Sequence, residues 1–256
     1  MAPLPLVITL PHCSAVVPPE TAANLALSPV EVEQSVDLGS AEVFGSLEAL
    51  AVLPARVSRL VADLNRRPDD FGPKGVVAHT DYAGRAVFAP GRRPDRAAKA
   101  ALVERWWRPW HQELARALAM PEAMVLLDGH SLDGVGPAQA PDPGARRAEV
   151  VLGNRGGAGG EPAGQRPVTC PPELLRRLGR ALEEQGLGVA YNRPYSGGYI
   201  IRRYGPRLLE RGGAAIQVEL NKNFFAGPGY SRVRPARARE LSLRLGRALR
   251  RVFGPG

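Results

Sequence analysis

The chain has 256 residues, 34 basic and 25 acidic side chains, and a formal net charge of +9. That length suits one large domain, read here as residues 1–256, with a sizeable core. Two cysteines cannot build a disulfide framework, no apolar run approaches the ~18 residues of a membrane span, and no leader pattern opens the chain, so a soluble cytoplasmic protein with no membrane partner is expected. All the basic residues are Arg except Lys74, Lys99 and Lys222. They are scattered, with no basic helix and no interleaved aromatic stacking motif, so nucleic acid is not the expected partner.

The first apolar run gives a strand over 5–10, followed by a turn-rich stretch around Pro18-Pro19. Ser28-Pro29 with acids just after it opens a short helix, Ser at the cap and Pro just inside. A strand is predicted over Ala49–Leu53 and another apolar segment over Val57–Leu64. Residues 67–94 are dense in Pro, Gly and charge and read as a long irregular excursion, a feature often functional in compact domains.

The clearest helix covers about 95–119. Asp95 caps it, and Val103, Trp107, Trp110, Leu114, Ala117 and Leu118 recur at the spacing of one face. His111 sits at the edge of that stripe. An apolar run then ends near Leu127. Residues 137–169 form a second loop region with five small residues at 156–160, interrupted by a short strand at Glu149–Leu152. A helix over 171–185 stops at Gly186. A strand over Gly188–Tyr191, a loop to Tyr204, a strand over 214–219 and a helix over about 235–252 complete the chain. Strands interleaved with long helices predict an α/β domain whose mostly parallel sheet is covered on both faces.

Three of these runs end in chemically capable side chains. Leu6–Leu10 leads to His12, Ala123–Leu127 leads to Asp128 and His130, and Ala214–Val218 leads to Glu219. Ligands of open α/β sheets bind at the carboxyl ends of strands, so the three endings predict one shared site. Neutral imidazole is the commonest metal ligand, and a catalytic zinc takes three protein ligands. Asp128 shares a face with His130 in an extended segment and is placed to orient a ligand or bind a substrate group. Glu219, next to a buried run, is expected to face a polar cavity where desolvation raises its pKa toward that of a general base. Arg66 is suited to bidentate binding of a substrate carboxylate. The loop Asn192–Tyr199 carries two adjacent glycines that permit close approach to a ligand.

These segments together resemble the N-formylglutamate amidohydrolase family. The matching elements are Leu10-Pro11-His12, Val36-Asp37-Leu38-Gly39, Ala62–Arg66, Trp110-His111, Leu127–Ser131, Leu152-Gly153-Asn154, Asn192–Gly205 and Ile216–Asn221. The resemblance implies a zinc-exopeptidase-like three-layer α/β/α sandwich and metal-dependent hydrolysis of the amide bond of a small N-acyl amino acid. It implies His12, His130 and Asp37 as ligands of one zinc ion, with Glu20 as the rival to Asp37. It implies Glu219 as the base that activates water, and His111 as a group that orients or protonates. Asn65, Arg66, Asp128, Asn192 and Arg202 become the substrate-binding candidates. The chain departs from the family pattern at Cys13-Ser14, where Ser-Gly is usual, and at Asn223-Phe224-Phe225. A carboxypeptidase-like or cell-wall amidase, and a binding protein that has lost turnover, are the alternatives on the same fold.

Overall fold

The computed structural model describes residues 3–255. Six strands form one sheet: β1 Leu4–Leu10, β2 Ala49–Pro54, β3 Val125–Leu132, β4 Val150–Gly153, β5 Val189–Tyr191 and β6 Ala214–Asn221, in the order β2-β1-β3-β6-β4-β5. The first four strands in that order run parallel, whereas β4 pairs antiparallel with β6 and parallel with β5. The sheet is therefore mostly parallel, with a reversed edge.

The helices are α1 Pro19–Ala22, α2 Pro29–Gln34, α3 Ser40–Phe44, α4 Arg96–Leu102, α5 Arg108–Leu118, α6 Pro172–Glu183, α7 Tyr199–Glu210 and α8 Pro235–Phe253. Ser28 begins α2 with a reciprocal capping box to Glu31. The Asp95 side chain accepts from the Ala98 N–H at the start of α4. A π-helical turn, Val103–Trp107, joins α4 to α5, so the predicted 95–119 helix is one rod with a wide turn inside it. The helix α7 replaces part of the expected loop to Tyr204. Gly205 and Pro206 conceal it in the sequence, yet Ile200, Ile201, Tyr204 and Leu208 are spaced to bury one face.

The period-two alternation of the strands divides the core into two layers. Leu6, Ile8 and Leu10 of β1, Val125 and Leu127 of β3, and Ile216 and Val218 of β6 face α3, α6 and α8. Val7, Leu126 and Ala215 face the other way, against α5, α7 and the excursion after β2. The result is a three-layer α/β/α fold. No helix among the described residues is long and apolar enough to cross a membrane.

The second face changes character along its length. Near the N-terminal ends of the strands it is apolar. Toward their C-terminal ends the same face carries Thr9, Asp128, His130, Gln217 and Glu219, all buried. β3 and β6 do not stop at the ends of their apolar runs, as the sequence suggested. They stay paired to Leu132 and Asn221, because each shields the other's backbone in the middle of the sheet.

Leu127 lies fully buried at the centre of the first layer. Leu127→Ala is expected to cost about 2–5 kcal/mol of unfolding free energy in denaturant titration. Leu243→Ala, at an exposed position of α8, should stay within about 0.5 kcal/mol of the parent.

Candidate active site

His12 follows β1 directly, and Asp37 reaches it from the turn after α2, held there by a backbone bond from the Asp37 N–H to the His12 carbonyl at 2.9 Å. His130 comes from β3. The Asp37 Oδ2 lies 2.8 Å from His130 Nδ1 and 3.4 Å from His12 Nδ1. One donor atom from each of the three residues lies within 4.8 Å of the others.

Each imidazole is backed by a second carboxylate. His12 Nε2 lies 2.8 Å from Asp63 Oδ1 and donates to it. His130 Nε2 lies 3.1 Å from Asp128 Oδ2. A carboxylate behind the imidazole fixes ring orientation and tautomer and raises the basicity of the nitrogen in front. With Nε2 of His12 donating, its Nδ1 presents a lone pair toward Asp37. That atom is buried and has no hydrogen-bond partner among the described residues. Leaving a buried polar atom unpaired is costly, and a cation coordinated there removes the cost. The donor set, two imidazoles and a carboxylate, is that of a catalytic divalent metal site.

The electrostatics agree. Burial alone would raise the Asp37 carboxyl, but His12 and His130 beside it, when they are protonated, hold it far below the usual carboxylate range. Burial alone would lower the His130 imidazole, but Asp128 and Asp37 hold it well above its ordinary value. A proton between His130 and Asp37 therefore competes with a cation for the same place, and cation binding would release it. Asp63 behaves as Asp37 does: burial opposes ionisation, and His12 and Arg59 more than offset it.

Glu219 stands beside His130 in the register of β3 and β6. Its Oε1 accepts from Gln217 Nε2 at 2.9 Å, and Gln217 in turn accepts from the Gly198 N–H at 2.7 Å. Burial pushes this carboxyl up to about 7, with Asp37 adding to the rise and His130 opposing it. Two carboxylates in one site are thus driven apart by their surroundings, one held ionised and the other near neutrality.

These residues open on a cleft of about 930 Å³, whose walls include His12, Asp37, Asn65, Arg66, His130 and Glu219. Asn65 is fully engaged there. Its amide nitrogen lies 3.1 Å from Asp128 Oδ2 and 3.2 Å from His130 Nε2, and its oxygen accepts from the Ile200 N–H. Arg66 faces the cleft with its guanidinium held by the carbonyls of Lys74 and Asn65.

Four of the candidate residues do not line the cleft wall. His111 does not reach the cleft. It is stacked on Trp107 with ring centroids 3.7 Å apart, and its nitrogens meet the Tyr204 hydroxyl and the Leu64 carbonyl. Burial lowers its pKa to about 3, so it is a neutral strut beneath residues 64–66. Trp107 supports the same loop by donating to the Arg66 carbonyl. Asp128 is wholly buried, its oxygens taken by Thr9, Asn65 and His130. It orients His130 and is sealed from substrate. Asn192 binds Asn154 and the Gly157 carbonyl and holds the glycine-rich turn. Arg202 lies on the exposed side of α7, over the Tyr199 ring. The rival ligand Glu20 is also remote, paired with Arg105 at the surface.

Sequence reading missed Asp63, Arg59 and Gln217 as members of the site. Arg59 reaches Asp63 at 3.0 Å and Asp37 at 3.7 Å. Gln217 was legible in principle as a polar residue two before Glu219, on its face of the strand. Asp63 and Arg59 lie in a segment without regular structure, where no periodicity marks direction.

The model of the N-formylglutamate amidohydrolase family matches residues 4–226. The chain belongs to this family. A relative described as an N-formylglutamate deformylase of Pseudomonas putida is 30% identical over 244 residues, covering 87% of this chain and 82% of the relative. The crystal structure of an N-formylglutamate amidohydrolase from Ralstonia eutropha superimposes with a TM-score of 0.77 at 22% identity, covering 98% of this chain and 95% of the other. A gene product of Agrobacterium tumefaciens does so with a TM-score of 0.67, also at 22% identity, over 98% and 92% of the two chains. These two structures share the fold. With the family membership, the chain is an amidohydrolase.

The buried His111 links folding to pH. Its folded pKa lies below the unfolded value near 6.5, so the unfolded chain binds the extra proton. The stabilisation is complete above about pH 6.5 and is lost as pH falls toward 3, at up to about 1.4 kcal/mol per pH unit. Unfolding free energy measured between pH 7 and 4 should fall more steeply in the parent than in His111→Gln; equal slopes would remove His111 as the cause.

Proposed function

We propose that this chain is a zinc-dependent amidohydrolase that removes the formyl group from an N-formylglutamate-like amino acid. The observation that carries this reading is the convergence of His12, Asp37 and His130, with an unpaired His12 Nδ1, beside the raised carboxyl of Glu219 in one cleft. Family membership and the similarity to a deformylase support the amide and its formyl group.

His12, Asp37 and His130 would hold the ion. A divalent zinc bound by them supplies Lewis acidity, polarising the scissile carbonyl and acidifying water. Asp63 and Asp128 keep the two imidazoles aligned from behind. Glu219, held by Gln217, takes a proton from the attacking water as its oxygen bonds to the formyl carbon. The same carboxyl then delivers that proton to the amide nitrogen as the C–N bond breaks, releasing formic acid and the amine, which part as formate and the protonated amine once the remaining hydroxyl proton is transferred. A pKa near neutrality suits both halves of that transfer. Arg66 offers a charged donor for a substrate carboxylate, its plane set by the two carbonyls that hold it.

Two experiments test this reading. Asp37→Ala and His130→Ala should each lose stoichiometric zinc by elemental analysis of dialysed protein, while Glu20→Ala keeps it; a Glu20 variant that loses zinc would move the third ligand. Glu219→Gln should retain zinc and lose roughly 10²–10⁴-fold in kcat on N-formylglutamate. Full turnover in that variant would exclude Glu219 as the base.

A further inference from the structure

Away from the cleft, an ammonium group is buried. Lys99 of α4 is only 4% exposed, and among the described residues no carboxylate lies within ion-pair distance of it. Burying a charged amine is costly unless its donors are taken. Lys99 Nζ donates to the Phe71 carbonyl at 3.0 Å and lies 2.8 Å from His79 Nε2. Both partners belong to the excursion after β2, so one ammonium ties together the two ends of the loop 71–79.

That loop supports the cleft. The Lys74 carbonyl accepts from Arg66 Nε at 3.1 Å, and the Val76 carbonyl accepts from the Asp63 N–H at 2.7 Å. Asp63 in turn backs His12. His79 also closes the base of the next turn, where its carbonyl accepts from the Val87 N–H at 2.9 Å. Within that turn, Asp81 and Tyr82 line the cleft wall. Lys99 and His79 are not part of the wall, yet two stretches of it hang from their contact.

The contact depends on one lone pair. With the ammonium donating to Nε2, the ring proton of His79 sits on Nδ1. Nδ1 faces another donor, Arg93 Nη1, at 3.5 Å. The charged groups around the ring are thus Lys99 from α4 and Arg93 from the segment before it. Asp70, from the excursion, favours the charge on Lys99, against burial and Arg93. A second proton on the ring would take the lone pair that holds Lys99 and place an imidazolium between two cations. Burial, Lys99 and Arg93 accordingly hold the His79 imidazole below its ordinary value.

We propose that Lys99 and His79 form a proton-operated clamp: a neutral His79 keeps residues 71–87 docked on α4, and a proton on its ring releases them. The clamp is closed above about pH 6.5, the unfolded value of an imidazole, and opens as pH falls through the lowered folded value. Opening frees the carbonyls of Lys74 and Val76, and so loosens Arg66 and Asp63 from a distance. The clamp works in the same way whatever reaction the cleft performs.

Hydrogen exchange of the full chain, resolved by peptide and corrected for the intrinsic pH dependence of amide exchange, reads the clamp directly. Between pH 7.5 and 5, exchange in residues 70–87 should rise on the order of tenfold in the parent, while β3 and β6 stay protected. His79→Gln offers the ammonium an amide oxygen in place of the imidazole lone pair and does not titrate, so its exchange should stay flat. Lys99→Met should exchange fast at both ends of the range. Loss of a bound metal or titration of the cleft would act on the parent and on His79→Gln alike, so the difference between them belongs to His79. A flat parent, a His79→Gln variant that opens with acid as the parent does, or a Lys99→Met loop as protected as the parent's at pH 7.5 would overturn the clamp. So would opening that spreads equally to β3 and β6.

Discussion

The pairing of β3 with β6 is the constraint on which the site depends. Eight consecutive residues of each strand are in parallel register, and this sets His130 beside Glu219 and Asp128 beside Gln217. Because side chains alternate with period two, a slip of either strand by one residue would carry both of its polar residues to the opposite face. The core prevents the slip. Leu127, Ile216 and Val218 are buried on the first face. Between Asp128 and His130 stands Gly129, whose missing side chain leaves room for Leu10 and Phe44; a Cβ there would come within 2.9 Å of one and 3.0 Å of the other. The hydrophobic layer on one side of the sheet thus fixes the polar arrangement on the other.

A cluster this polar is stable only if nearly every atom is satisfied. The loop over residues 63–66 shows how the fold meets that demand. The Asp63 N–H donates to the Val76 carbonyl, Leu64 accepts from His111, Asn65 is engaged through both ends of its amide, and Arg66 accepts from Trp107. Each residue of an irregular segment is tied to a regular element or to the next loop. The aromatic stack of Trp107, His111 and Tyr204 is the buttress behind it. Such support lets a loop hold catalytic groups with the precision of a strand. Among the described residues, the one buried nitrogen of the cluster left without a hydrogen bond, on His12, is the one beside Asp37 and His130.

Much of this was legible in the sequence because the strands announced themselves. β1, β3 and β6 are apolar runs that end in His12, His130 and Glu219, and strand ends are where α/β folds bind ligands. The helix caps at Ser28 and Asp95 were equally readable, being local chemistry. Other placements were not legible from local pattern. His111 lies on a helical stripe, and a stripe position does not distinguish a buried strut from a residue lining a cleft. Asp128 and Asn192 sit beside glycines in segments that do approach the site, but their partners come from β1, residue 65 and the turn after β4, which local pattern cannot supply. α7 was hidden by Gly205 and Pro206, which read as breakers in the sequence. The cost of a proline in a helix is outweighed here by an apolar face closing over the sheet.

The chemistry of the site also explains why Cys13, next to His12 and on the cleft wall, is no rival nucleophile. Burial raises its thiol above the ordinary value, and the carboxylates of Asp37 and Glu42 add to the rise. A thiolate is therefore disfavoured where a covalent mechanism would need one. The same burial that silences the cysteine raises Glu219 toward neutrality, while the imidazoles beside Asp37 drive that carboxyl the other way. One environment thus sorts three ionisable groups into three states. Asp37 is held as an anion fit to bind a cation, Glu219 is poised to exchange a proton, and Cys13 stays a neutral thiol. The hydrolysis proposed above, by an activated water, would use the first two and has no use for the third.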